Sequence, residues 1–208
     1  MPKRAVWLMF AVAVIISLVL LVPYLSLDIR DSRLDVSGSL HYATLVAHIF
    51  TAAAALVLGP LQFVPRIRAR RRVHRMIGRV YLVAVVLSAV TAVPVALWSG
   101  RPLTQVSLTS AAVLWLVTAG LAYRAARRRD FVAHRRWMMR NYALTFLAVT
   151  ARIVVPLILL GSLPFRSGGP AAIGDVATSL IPVGQTLGWL INLAVAEMLI
   201  RRPGEKLA

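Results

Sequence analysis

The sequence predicts an all-α integral membrane protein, a bundle of about six transmembrane helices, and three observations carry that expectation. Of 208 residues, 59% are hydrophobic and only 15% are charged. That is more apolar surface than a domain of this length can hide while keeping its exterior wet. The apolar residues gather into runs of about 20, the length that crosses a hydrocarbon core of about 30 Å as helix. The basic residues crowd into alternate connections, as juxtamembrane Lys and Arg do.

Residues 1–208 read as one transmembrane domain without an internal repeat. The first run, Ala5–Leu25, follows Lys3 and Arg4 and ends in the interfacial Pro23-Tyr24-Leu25. It is long and no small-residue cleavage site follows it, so it is expected to be a retained helix rather than a signal peptide. The polar loop Ser26–Ser39 leads to a second run, Leu40–Val64, stopped by Pro65. The third and fourth are Ile77–Trp98 and Leu103–Tyr123; the fifth is Trp137–Leu160, followed by the Gly/Pro-rich loop Gly161–Gly174. The sixth, Val176–Ile200, is closed by Arg201, Arg202 and Pro203. Pro94, Pro156 and Pro182 fall towards the outward ends of their runs, where a lost backbone bond costs little.

Orientation follows from the charges. The N-terminus carries two Lys or Arg, Pro65–Arg79 seven, Arg124–Arg140 seven and the tail after Ile200 three, against two, one and one in the alternate loops. This asymmetry predicts both termini in the cytoplasm and an even number of crossings, which six satisfies. The expected setting is the inner membrane of the cell, multi-pass. The net charge of +17 does not imply nucleic acid, because the charge sits beside the apolar runs and suits anionic headgroups of the cytoplasmic leaflet. The chain has no cysteine, which excludes disulfides, zinc thiolates, iron–sulfur ligation and a cysteine nucleophile. Neither a GxSxG elbow nor an HExxH pair occurs, so hydrolase chemistry is not indicated and no catalytic residue can be assigned.

Polar residues inside the spans are the next signal, because ionisable groups in hydrocarbon mark sites. Arg152 stands about 15 residues, or roughly 22 Å, from the inner end of the fifth span. His48 stands about eight residues, or roughly 12 Å, from the outer end of the second. Their similar depth, with Thr44 and Thr51 nearby, suggests either a ligand or anionic group held between them, or an arginine satisfied by backbone carbonyls and a histidine bonded to a neighbouring helix. Asn192 and Glu197 lie on the last helix. Glu197 precedes Arg201 by one turn and can pair with it, and Gln62 can bond between helices.

The richest pattern lies on the inner face. His74-Arg75-Met76-Ile77-Gly78 opens the third span and His134-Arg135-Arg136-Trp137-Met138 opens the fifth. Tyr81 and Tyr142 follow about two turns on. Gly78 lies one turn beyond His74 and removes bulk where a flat macrocycle could approach. Two imidazoles from neighbouring helices can supply both axial ligands of a b-type heme, its iron held by His74 and His134, with arginines such as Arg140 balancing the propionates. On that reading Glu197 is a candidate to orient an imidazole. The alternative is a pair of interfacial histidines among basic headgroup contacts.

The stretches His48–Pro65, His74–Tyr81 and His134–Arg152 (HRRWMMRNYALTFLAVTAR), with Trp189, Asn192 and Glu197, resemble the bacterial predicted-membrane-protein family DUF2306, whose function is unknown. The resemblance implies a polytopic membrane protein and no particular activity. A weaker likeness runs to transmembrane b-type cytochromes, the diheme and ferric-reductase proteins, whose ligand helices often begin His-x-x-x-Gly. It implies an inner pair, His74 with His134, and an outer His48. The fourth span contains no histidine, so a two-heme wire is not implied. A single inner heme would need a quinone or redox partner protein. Two readings result: a heme-b redox or heme-handling protein, and a non-enzymatic accessory subunit, small transporter or lipid-binding bundle.

Overall fold

In the computed structural model, which describes residues 3–162 and 170–201, the chain is built from helices. They are α1 (Lys3–Leu21), α2 (Ser39–Leu61), the short α3 (Pro65–Ala69), α4 (Arg71–Trp98), α5 (Pro102–Arg127), α6 (Phe131–Thr145), α7 (Leu147–Ser162) and α8 (Pro170–Arg201). Five of these, α1, α2, α4, α5 and α8, are each long and apolar enough to cross a membrane. The pair α6 and α7, bent by 48° at its break, passes the same test only when taken together and makes a sixth candidate span if it is one crossing. The expected loop 161–174 lies partly outside the described residues, as do Arg202 and Pro203.

Helices overrun the predicted spans at the arginine-rich end. The third was expected from Ile77 and begins at Arg71; the fourth was expected to stop at Tyr123 and runs to Arg127. Apolar patterning marks what lies in hydrocarbon, whereas arginine is a good helix former that carries the helix on into the headgroup layer. At the opposite end Gly100, with φ +66, supplies the left-handed residue of the turn joining α4 to α5.

Each long helix packs on its neighbour in the chain. The core is made where α2, α4, α5 and α6 meet, and α8 returns across α5, α6 and α7. Small residues of α4 and α5, Ala84, Ala89, Ala112 and Ala119 among them, are buried in this core. In lipid, helices gain little from hiding apolar surface, so this close approach of backbones and the polar bonds across it hold the bundle together. Glycines serve the same purpose elsewhere. A Cβ on Gly59 would lie 2.1 Å from the Tyr142 ring, and one on Gly188 would lie 3.2 Å from the Ala151 backbone nitrogen.

The break at Phe146 was not expected from the apolar run. Side chains enter the backbone ladder on both sides of it, a recognised cause of kinks. Thr145 donates its hydroxyl to the Asn141 carbonyl at 3.0 Å. Asn192 of α8 donates Nδ2 to the Ala143 carbonyl at 3.0 Å and accepts from the Thr150 hydroxyl at 2.7 Å.

Candidate functional site

Three polar assemblies occupy the bundle. The first is a closed network between α4, α5 and α6. The Tyr81 hydroxyl donates to Asn141 Oδ1 at 2.6 Å and lies 2.9 Å from Thr145 Oγ1. Trp115 Nε1 donates to the same Thr145 oxygen at 2.9 Å. Asn141 Nδ2 donates to the Trp115 carbonyl at 2.8 Å and to Thr118 Oγ1 at 2.9 Å. Tyr81 and Asn141 are fully buried. Tyr142 spends its hydroxyl on the Leu56 carbonyl of α2 at 3.1 Å. Both tyrosines named as cofactor candidates are therefore bonded inside the packed bundle. Sequence reasoning passed over Asn141, Thr118 and Trp115; an asparagine inside the most specific motif of the fifth span was the available signal.

The second assembly joins α2 to α4. His48 Nδ1 lies 2.9 Å from the Ser88 carbonyl and 3.2 Å from the Ser88 hydroxyl. Thr44 and Thr51 bond carbonyls of their own helix. Arg152 is not brought to this point. It lies exposed on α7 and donates to the Ala148 carbonyl, one turn back on its own helix, at 2.8 Å. The cause is the α7–α8 seam: Val155 and Ala151 press on Gly184 and Gly188, and a residue adjacent to Ala151 points about 100° away around the helix. Of the two alternatives for these residues, the bonds are those of the second: Arg152 is satisfied by a backbone carbonyl and His48 by a neighbouring helix.

The third assembly is at the arginine-rich end. His134 Nδ1 lies 2.9 Å from the Ala122 carbonyl of α5. A carbonyl only accepts, so Nδ1 carries the proton and the lone pair is left on Nε2. His74 stands near the start of α4, at the same end of the bundle as His134 near the start of α6. Its Nδ1 is buried and has no hydrogen-bond partner among the described residues, and the same is true of Gln62 Nε2. The Gln62 carbonyl oxygen covers Gly78, 3.2 Å from where a Cβ would stand. Around this point Arg140 donates Nε to Glu197 Oε1 at 2.5 Å, and its guanidinium stacks 4.6 Å from the Trp137 ring centre. Arg201 reaches the other carboxylate oxygen at 3.5 Å. Glu197 thus serves two arginines and neither histidine. Among the described residues no group of three or more His, Asp or Glu could hold a bare metal ion.

Five apolar helices long enough to cross a membrane, a bent pair that can make a sixth, and one strongly cationic end are the features of a polytopic membrane protein. Residues 45–200 match the family described as Predicted membrane protein (DUF2306), and the chain belongs to that family. No curated protein and no solved structure matches the chain.

Proposed function

We propose that the chain is a membrane-embedded redox or heme-handling protein that takes a b-type heme at its arginine-rich end, with His74 and His134 as axial ligands. One observation carries the reading: two imidazoles lie near the starts of α4 and α6, helices joined deeper in the bundle by the Tyr81–Asn141 bond, and the Ala122 carbonyl fixes His134 in the tautomer that leaves Nε2 free. Ligating histidines have this arrangement, the second ring nitrogen donating to a carbonyl, carboxylate or water. The partnerless Nδ1 of His74 and Nε2 of Gln62 support it further, because buried polar groups are ordinarily bonded and a bound group with its waters would supply partners. Gln62 would have to swing off Gly78 to admit the ring. The Arg140 guanidinium, now held by Glu197 through Nε, would balance a propionate. Heme would supply one-electron transfer, exchanged with a quinone or a redox partner protein.

A visible spectrum tests the proposal. The purified full chain, titrated with hemin and reduced with dithionite, is expected to show the sharp band of bis-histidine heme, and His74→Ala or His134→Ala to lose it. A wild-type chain that stays folded and gives no such band ends the reading. A second reading, a non-enzymatic bundle, then stands. It is favoured by a different observation, the internal use of the Tyr81 and Tyr142 hydroxyls.

A further inference from the structure

The starts and ends of helices at the arginine-rich end enclose a cleft that the heme reading touches only through Arg140 and that contains neither His74 nor His134 among its lining residues. It lies between the start of α6 and the end of α8, has a volume of about 620 Å³, and is lined by Arg136, Trp137, Arg140, Glu197, Ile200 and Arg201 among others. Glu197 takes the Nε atoms of Arg140 and Arg201, and Trp137 fixes the plane of the Arg140 guanidinium from below. Among the described residues the terminal amino groups of these two arginines have no acceptor. Those groups form the planar fork that grips phosphate bidentately. Arg136, Arg140 and Arg201 stand against a single carboxylate, so the cleft carries an excess of positive charge that an anion would neutralise.

The walls identify the kind of anion. Leu199 and Ile200 bring apolar surface to the rim, and on the side of α8 next to Leu199 the helix exposes Ile191, Val195 and Met198. Tryptophan with an apolar body and polar edge belongs at the headgroup level. A soluble phosphate would use the guanidiniums and leave this apolar track unused, whereas a lipid uses both. We propose that the cleft binds the phosphate of one anionic phospholipid, with its acyl chains along α8.

The test is native mass spectrometry of the full chain, delipidated in detergent and titrated with phosphatidylglycerol or phosphatidylcholine. Phosphatidylglycerol should be retained in preference. Arg136→Gln and Arg140→Gln should each weaken that retention about fivefold, the worth of one arginine near a membrane surface. Arg72→Gln, at the start of α4 and outside the cleft, should leave it unchanged. Arg136 is exposed and pairs with no described residue, so its variant reports on binding even if loss of the Arg140–Glu197 pair disturbs the fold. Equal retention of the two lipids, or equal losses from Arg72→Gln and Arg136→Gln, overturns the site. Competition by millimolar inorganic phosphate that displaces the lipid completely and depends on the same arginines overturns the lipid assignment.

Discussion

Asn141 uses both ends of its amide within a space that admits no solvent. Its oxygen takes the Tyr81 hydroxyl and its amino group serves the Trp115 carbonyl and Thr118. A buried asparagine in lipid is tolerated only when satisfied in this way, and the bonds it makes tie three helices to one point. Removing one hydroxyl leaves the rest in place, so Tyr81→Phe should cost about 1 kcal/mol. Asn141→Leu strands several partners at once and should cost about 2 kcal/mol, against the same reference. Thermal unfolding in one detergent checks both; a leucine variant as stable as wild type would show that the network contributes nothing. His48 plays a comparable part between α2 and α4 through Ser88. These residues were only partly legible: His48 stands out in an apolar run, whereas Thr118 and Trp115 are unremarkable until the fold brings Asn141 to them.

At the scale of the element, the bent fifth span is the informative one. Its apolar run from Trp137 to Leu160 reads as a straight crossing, because hydropathy records what a segment is made of and not what a distant helix inserts into it. The break exists where Asn192, some forty-odd residues on, caps the Ala143 carbonyl and takes the Thr150 hydroxyl. Asn192→Leu is expected to leave α6 packed on α5 and to loosen α7, where hydrogen exchange of the Leu147–Ala151 amides should rise relative to wild type. Unchanged exchange there would mean that the bend stands without the clamp. The same separation explains Arg152, whose direction depends on which neighbours α7 packs against and not on its depth along the chain.

For the whole molecule, the six apolar runs and the arginine asymmetry made the architecture readable from the sequence. A 20-residue apolar run has few other uses, and the crowding of arginine into alternate connections predicts the orientation. Reporter fusions after Gly100 and after Arg201 should therefore report opposite sides of the membrane; the same side for both would refute the assignment of both termini to the cytoplasm. The candidate site was less readable. The two inner histidines and their arginines could be named, but the Ala122 carbonyl that orients one ring and the Gln62 amide that covers Gly78 belong to helices remote in the chain.

The capping of Ala143 by Asn192 also sets an order of assembly. A chain made from its N-terminus enters the bilayer helix by helix, so the broken span arrives before α8 has been synthesised. Until then the Ala143 carbonyl has no Asn192 to fill it, and an unfilled polar group is poorly tolerated in hydrocarbon. The fifth crossing must wait in a protected place, against α5, the insertion machinery or headgroup water, and becomes a settled part of the bundle only when the final helix docks.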